Sequence, residues 1–178
     1  MRERSRWALC IGLLVWGAAG CNTTTRRPER NDMVTIQHLD PTGLHQNPAF
    51  TQAIAIEGPH RVVYVGGQNA VDAGGNLVGE GDLVAQTEQV FHNLQVALAA
   101  AGARLEDLVK TNVYLVQGQD PRPAFEVSRR YWKEGMKPPT LCVLQVAGLA
   151  HPAFLLEIEG VAVVALRDGR NAASGLGR

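Results

Sequence analysis

Apolar and polar positions alternate along much of this chain, which is typical of half-buried strands. Between these runs, glycine, proline and asparagine mark turns, as at Gly58-Pro59 and Gly74-Gly75-Asn76. Six runs are long enough and rich enough in β-branched residues to be strands. The predicted strands are residues 34–37, 52–56, 61–65 with an extension to 71, 108–116, 141–147 and 153–165.

Two segments have helical spacing instead. In the first, Asp82 is the predicted N-cap, and apolar side chains recur every three or four residues until Gly102. Gln86 and Gln95 lie among its polar positions, so the pattern predicts that both amides face away from the core. The second helix is predicted at residues 124–134, after a proline-rich opening.

The order of these elements, β-β-β-α-β-α-β-β, predicts a single α+β domain over residues 34–166. Its mixed sheet of six strands carries both helices on one face. Because two helices leave the other face of the sheet uncovered, the pattern also predicts an oligomer. Residues 167–178 are polar and glycine-rich, which predicts a disordered tail.

The first 21 residues have a pattern of their own: three arginines, an apolar run over 7–15, and small residues before Cys21. This is the composition of a secretory signal. The cysteine after the small residues resembles a lipobox, which implies an acylated Cys21 and a membrane-anchored lipoprotein of the bacterial cell envelope. Residues 22–33 are then a polar tether. The alternatives are an ordinary cleaved signal peptide, or a cytoplasmic protein translated from Met33.

Charge and metal-ligand patterns argue against two classes of function. The 17 basic residues are scattered and are balanced by 17 acidic ones, which argues against nucleic-acid binding. The five histidines show no paired spacing with each other or with cysteine, so no metal site and no cofactor is predicted. Cys142 is the sole cysteine of the predicted domain, and its apolar surroundings predict a buried, inert thiol. A catalytic thiol is the alternative.

Glu157 and Glu159 alternate with apolar residues in the last strand, so both carboxylates leave the same face of the sheet. This face meets either water or a basic side chain of a neighbouring subunit, or one carboxylate holds a water as a general base. The chain resembles the RidA (YjgF) family in residues 139–164, which include Glu-Ile-Glu-Gly-Val-Ala at 157–162, and in Val-Gly-Gly-Gln at 65–68.

The resemblance covers nearly all of residues 34–166. It implies a chorismate-mutase-like fold, a homotrimer, and a small-molecule pocket at each subunit boundary. It also implies hydrolysis of reactive enamines and imines to a 2-oxo acid and ammonia. In that chemistry an arginine grips the substrate carboxylate and a glutamate positions the water.

Position by position, the resemblance assigns the water-positioning glutamate to Glu157 and a backbone contact to Gly67. At the other positions this chain departs from the family pattern. It has Phe50 for a tyrosine, Gly66 for a serine, Ser128 for an asparagine, Leu141 for the arginine and Val143 for a cysteine that follows the arginine by two.

These departures predict a more apolar pocket without efficient 2-imino acid deaminase activity, because the carboxylate has lost its charged partner. Two functions remain open: a small-molecule-binding protein, or a hydrolase on an uncharged imine or enamine that uses Glu157. The resemblance also implies ribonuclease activity, which some relatives have. The sequence gives this activity little support, because no basic groove or histidine pair is evident.

Overall fold

The computed structural model describes residues 33–166. Cys21, the predicted signal segment, the tether before Met33 and the tail from residue 167 lie outside the described residues. Lipidation and a cell-envelope location therefore stay predictions. Within residues 33–166, none of the helices is long and apolar enough to cross a membrane.

The order of elements agrees with the predicted α+β domain. The elements are β1 (Thr35–Leu39), β2 (Ala53–Glu57), β3 (His60–Gln68), α1 (Leu83–Ala100), a 3-10 turn (Leu105–Asp107), β4 (Leu108–Val116), α2 (Pro121–Tyr131), β5 (Thr140–Val146) and β6 (Leu156–Ala165).

The prediction of one six-stranded sheet is wrong for the described chain, which forms two sheets. Strands β1 and β2 make an antiparallel pair, and the other four strands pair in the order β3-β6-β4-β5. Strands β4 and β5 are parallel, while β6 runs antiparallel to both β3 and β4. Thr51, just before β2, bonds the carbonyls of Pro138 and Pro139 ahead of β5. These bonds connect the two-stranded sheet to the β5 edge of the four-stranded sheet, which is the edge farther from β3.

Helix α1 is formed as the sequence predicts. The carboxylate of Asp82 accepts hydrogen bonds from the backbone of Val84 and Ala85 at 2.9 and 3.1 Å. After the helix, Gly102 takes the left-handed conformation with φ 65°. The apolar side of α1 is buried against β3 and β6, and this contact forms the core. Its main residues are Val90, Phe91, Leu94, Leu98, Val65, Leu156, Ile158 and Ala162.

Gln86 corrects the predicted polar face of α1, because its side chain is 0% exposed. Its amide nitrogen donates to the carbonyls of Gly79 and Ala153 at 3.0 and 2.8 Å. Its amide oxygen accepts from the backbone N–H of Leu155 at 2.8 Å. The amide therefore connects the turn before α1 to the segment that leads into β6, while Gln95 is exposed as predicted.

Helix α2 begins at Pro121, three residues earlier than predicted, and ends at Tyr131. It packs on α1, where the rings of Phe91 and Tyr131 stack with centroids 4.5 Å apart. The Tyr131 hydroxyl donates to Glu88 at 2.7 Å. Burial is the main cause that raises the pKa of Tyr131 to about 12, and the bond to Glu88 is the second. Helix α2 is thus held by α1, and a cavity of about 970 Å³ separates it from strands β4 and β5.

Candidate functional site

The four-stranded sheet has one face under the helices and one face turned away from them, which we call the open face. In β6, Leu156 and Ile158 are buried toward the helices, so Glu157 and Glu159 project from the open face. Directly paired residues of neighbouring strands share a face. The register therefore places further side chains beside the two carboxylates: Asn112 and Tyr114 from β4, and Cys142 and Leu144 from β5.

Glu159 is held by two neighbours on β4 through one of its oxygens. One of its oxygens, Oε1, accepts from the amide of Asn112 at 2.7 Å and from the hydroxyl of Tyr114 at 2.8 Å. These bonds, with a smaller contribution from Lys110, lower the pKa of Glu159. The same bond to Glu159 raises the pKa of Tyr114. Glu159 is therefore a fixed carboxylate that organises β4 and β6.

Glu157 is held on one side and free on the other. Its Oε2 accepts from the amide of Asn69 at 2.9 Å. The backbone that carries this amide is anchored in turn by Asn93 of α1, which donates to the carbonyls of Asn69 and Val71 at 2.9 and 2.8 Å. Among the described residues, no side chain or backbone group donates to Oε1 of Glu157. One carboxylate oxygen is thus oriented by the protein and available to a water or a ligand.

Gly67 lies directly against this carboxylate. Strand β3 has a bulge between Val65 and Gln68, and its two glycines lie opposite Glu159, near the start of β6. A Cβ added at Gly67 would overlap Oε1 of Glu157 and would lie 2.6 Å from its Cδ. A Cβ added at Gly66 would meet nothing within 4 Å. The structure therefore brings Gly67 and Glu157 together, and the lack of a side chain at Gly67 leaves room for the carboxylate.

The other predicted pocket residues lie elsewhere in the chain. Ser128, Leu141 and Val143 line the cavity under α2, on the helix side of the sheet. Phe50 is half-buried in the loop before β2, next to residues 47–49, which line the same cavity. Within one chain the structure does not bring Leu141 or Val143 to the face that carries Glu157.

The prediction of a buried Cys142 is wrong, because this side chain is exposed. It pairs with Asn112 and lies on the open face, whereas its neighbours Leu141 and Val143 line the cavity. Strand β5 is the edge of the sheet, and no element among residues 33–166 covers this face of it. The alternation of the sequence shows that Cys142 differs in face from Leu141, but not which of the two faces is covered.

Metal-ligating side chains do not converge in this part of the chain. Across residues 33–166, no three histidine, cysteine, aspartate or glutamate side chains are grouped so that they could hold a metal ion. The chemistry available at the open face is therefore that of Glu157, its amide partner and the surrounding polar and apolar side chains.

The sheet order, the two-helix layer and a carboxylate on the open face define a small α+β domain of the RidA-like class. Comparison with known proteins gives the same result. The family described as Endoribonuclease L-PSP, which includes RidA, YjgF and RutC proteins, matches residues 44–164. This chain belongs to that family.

Relatives are found among both curated proteins and solved structures. A RutC family protein of Synechocystis is 35% identical over 116 residues, which is 65% of this chain and 85% of that protein. The Rid family protein YyfB of Yersinia pestis, described as of unknown function, has a TM-score of 0.65 and 32% identity over 72% of this chain and 98% of its own. RidA from an Antarctic Psychrobacter has a TM-score of 0.52 and 34% identity over 58% and 80%.

Proposed function

We propose that this protein binds a small molecule against the open face of its sheet, with Glu157 in contact with the ligand. The observation that carries the proposal is the difference between the two carboxylates. Each carboxylate leaves one oxygen without a donor among residues 33–166. Glu159 is fixed by two bonds to its Oε1, from Asn112 and Tyr114, whereas Glu157 accepts one bond, from Asn69, and its Oε1 lies beside Gly67. A polar atom that is oriented but unpaired is suited to a ligand or to a bound water.

A neighbouring copy in a homotrimer completes this pocket in our proposal. The open face exposes large side chains that one chain leaves uncovered: Tyr64 is 81% exposed and Leu144 is 46% exposed. Apolar side chains in such positions are typical of surfaces that pack against another subunit. Side chains that line a pocket between the sheets of two subunits must project from the open face. This requirement changes which position of the chain corresponds to the family's arginine.

We propose that Thr140, instead of Leu141, occupies that position. In the family pattern a cysteine follows the arginine by two, and this chain has Cys142 on the open face, two residues after Thr140. Because side chains alternate, Thr140 shares the face of Cys142, while Leu141 faces the cavity. Thr140 carries no charge, so we still expect a small carboxylate to be bound weakly. The reason is now Thr140 instead of Leu141.

An arginine at position 140 is expected to restore binding of a small 2-oxo acid. We expect Thr140→Arg to bind pyruvate about ten-fold or more tightly than the wild type, since a charge-assisted bond contributes about 1.5–3 kcal/mol. Calorimetry on the full chain measures this. The matched control is Leu141→Arg, one residue along, whose side chain enters the cavity and should leave pyruvate binding unchanged. A stronger effect of Leu141→Arg would contradict the register assignment.

A second candidate is hydrolysis of an uncharged imine or enamine, and the free oxygen of Glu157 favours it because that atom could position a water. The test uses a neutral imine and, in parallel, a 2-imino acid generated in situ by an amino acid oxidase. We expect no acceleration with the 2-imino acid. If the neutral imine is hydrolysed, Glu157→Gln should reduce the rate about 100-fold or more.

Glu159→Gln is the control for that substitution, because Glu159 already makes two internal bonds. Turnover that survives in Glu159→Gln and disappears in Glu157→Gln supports the hydrolase. Absence of turnover in all variants supports the binding protein. Acceleration of the 2-imino acid by the wild type would refute the inferred loss of deaminase activity.

A further inference from the structure

The cavity under α2 lies on the opposite side of the sheet from Glu157. It occupies about 970 Å³ between α2, the loop that follows it, and strands β4 and β5. This volume is in the range of small-molecule sites. The side chains that surround it are largely apolar, and those nearest to α2 and β5 are Ala124, Ser128, Trp132, Met136, Leu141 and Val143.

Two of the three hydroxyl groups in the lining, those of Ser128 and Thr87, have partners within the chain. Ser128 donates to the carbonyl of Phe125 at 2.7 Å, and Thr87 donates to the carbonyl of Leu83 at 2.6 Å. Within residues 33–166, every buried side-chain nitrogen or oxygen has a hydrogen-bond partner. The cavity walls therefore offer little to ordered water, which needs two to four polar partners, and apolar cavities of this kind take apolar molecules instead.

The two arginines of the lining are paired with acidic side chains of α2 and its N-cap. Arg122 pairs with Asp120 at 2.7 Å, and Arg129 pairs with Glu126 at 3.3 Å. Lys133 is followed directly by Glu134, which also lines the rim. Because both arginines are paired with acidic neighbours, they offer little to an anionic head group.

We infer that this cavity is a second binding site, specific for a neutral apolar molecule with an aliphatic or aromatic body. It goes beyond the proposed function, because its walls are Leu141, Val143 and α2 instead of Glu157 and the open face. The way α2 is anchored explains why space remains there. The helix is attached to α1 through Tyr131, Phe91 and Glu88, and it makes few contacts with β4 and β5.

The test is binding of the n-alkanols from pentanol to octanol to the full chain, followed by calorimetry. Burial of each added methylene should tighten binding about four-fold, because the hydrophobic effect contributes that factor for each CH₂. Val143→Trp and Ser128→Phe, which fill the cavity from opposite walls, should each weaken octanol binding at least ten-fold. Circular dichroism establishes that both variants are folded.

Leu144→Trp is the matched control, since Leu144 is the next residue of the same edge strand and points to the open face. It should leave octanol binding unchanged, and so should Glu157→Gln, which separates this site from the proposed one. The inference is overturned if octanol does not bind, if affinity does not rise with chain length, or if Leu144→Trp weakens binding as much as Val143→Trp.

Discussion

Replacing Gln86 with alanine is expected to lower the free energy of unfolding by about 3 kcal/mol. The side chain is buried and makes three hydrogen bonds, to Gly79, Ala153 and Leu155. Alanine would leave the Leu155 N–H and two carbonyls without this partner. An unsatisfied buried group costs about 1–3 kcal/mol, which is more than the net gain from a typical hydrogen bond. The segment that leads into β6 should loosen first, because two of the three bonds hold it.

Denaturant unfolding of the full chain, followed by circular dichroism, measures this effect. Gln95→Ala is the control: it removes the same side chain from the same helix at an exposed position, and we expect a change within about 0.5 kcal/mol. Hydrogen exchange at Leu155 should be faster in Gln86→Ala than in the wild type. Similar unfolding midpoints for the two variants would show that the buried amide does not stabilise the fold.

Replacing Gly67 with alanine is expected to displace Glu157 and to abolish binding at the open face. The added Cβ would overlap Oε1 of Glu157 and crowd its Cδ and Cγ, so the carboxylate must rotate away. Rotation breaks the bond from Asn69, at 2.9 Å in the wild type. Loss of this bond and the new crowding together should lower the free energy of unfolding by about 1–3 kcal/mol.

Gly66→Ala is a close control, because it adds the same methyl group one residue earlier, where nothing lies within 4 Å. Neither glycine has a positive φ, so backbone strain does not separate the two variants. The side-chain amide resonance of Asn69 should shift in Gly67→Ala and stay in place in Gly66→Ala. If both variants retain that resonance and the wild-type ligand affinity, Gly67 has no part in shaping the site.

Local features of the chain were predicted well because they depend on neighbours in sequence. Helix α1 has its N-cap at Asp82 and its glycine at Gly102 as expected, since capping is decided within one turn. Alternation likewise predicted that Glu157 and Glu159 share a face, and they do. The start of α2 was missed by three residues, because Asp120 caps a helix whose first turn contains two prolines.

The site was harder to predict, because a site depends on which strands meet. Counting along the sequence assigned the arginine position to Leu141, but the pairing of β5 with β4 directs Leu141 toward the helices and Cys142 toward the carboxylates. A shift of one residue exchanges the two faces of a strand, so the proposed position Thr140 lies on the opposite face from Leu141. Gln86 was misplaced for a related reason: its partners, Ala153 and Leu155, are more than 60 residues away.

The sequence by itself thus determined the elements, their order, and which side chains share a face, because hydrophobic periodicity and capping act over a few residues. Only the tertiary structure decided which face is covered, which strands pair, and where a polar side chain such as Gln86 finds its partners. These depend on contacts between distant segments, which alternation does not encode. For this protein that difference decides the chemistry: Glu157 lies on the open face with Cys142, and Leu141 lies with Val143 in a separate apolar cavity.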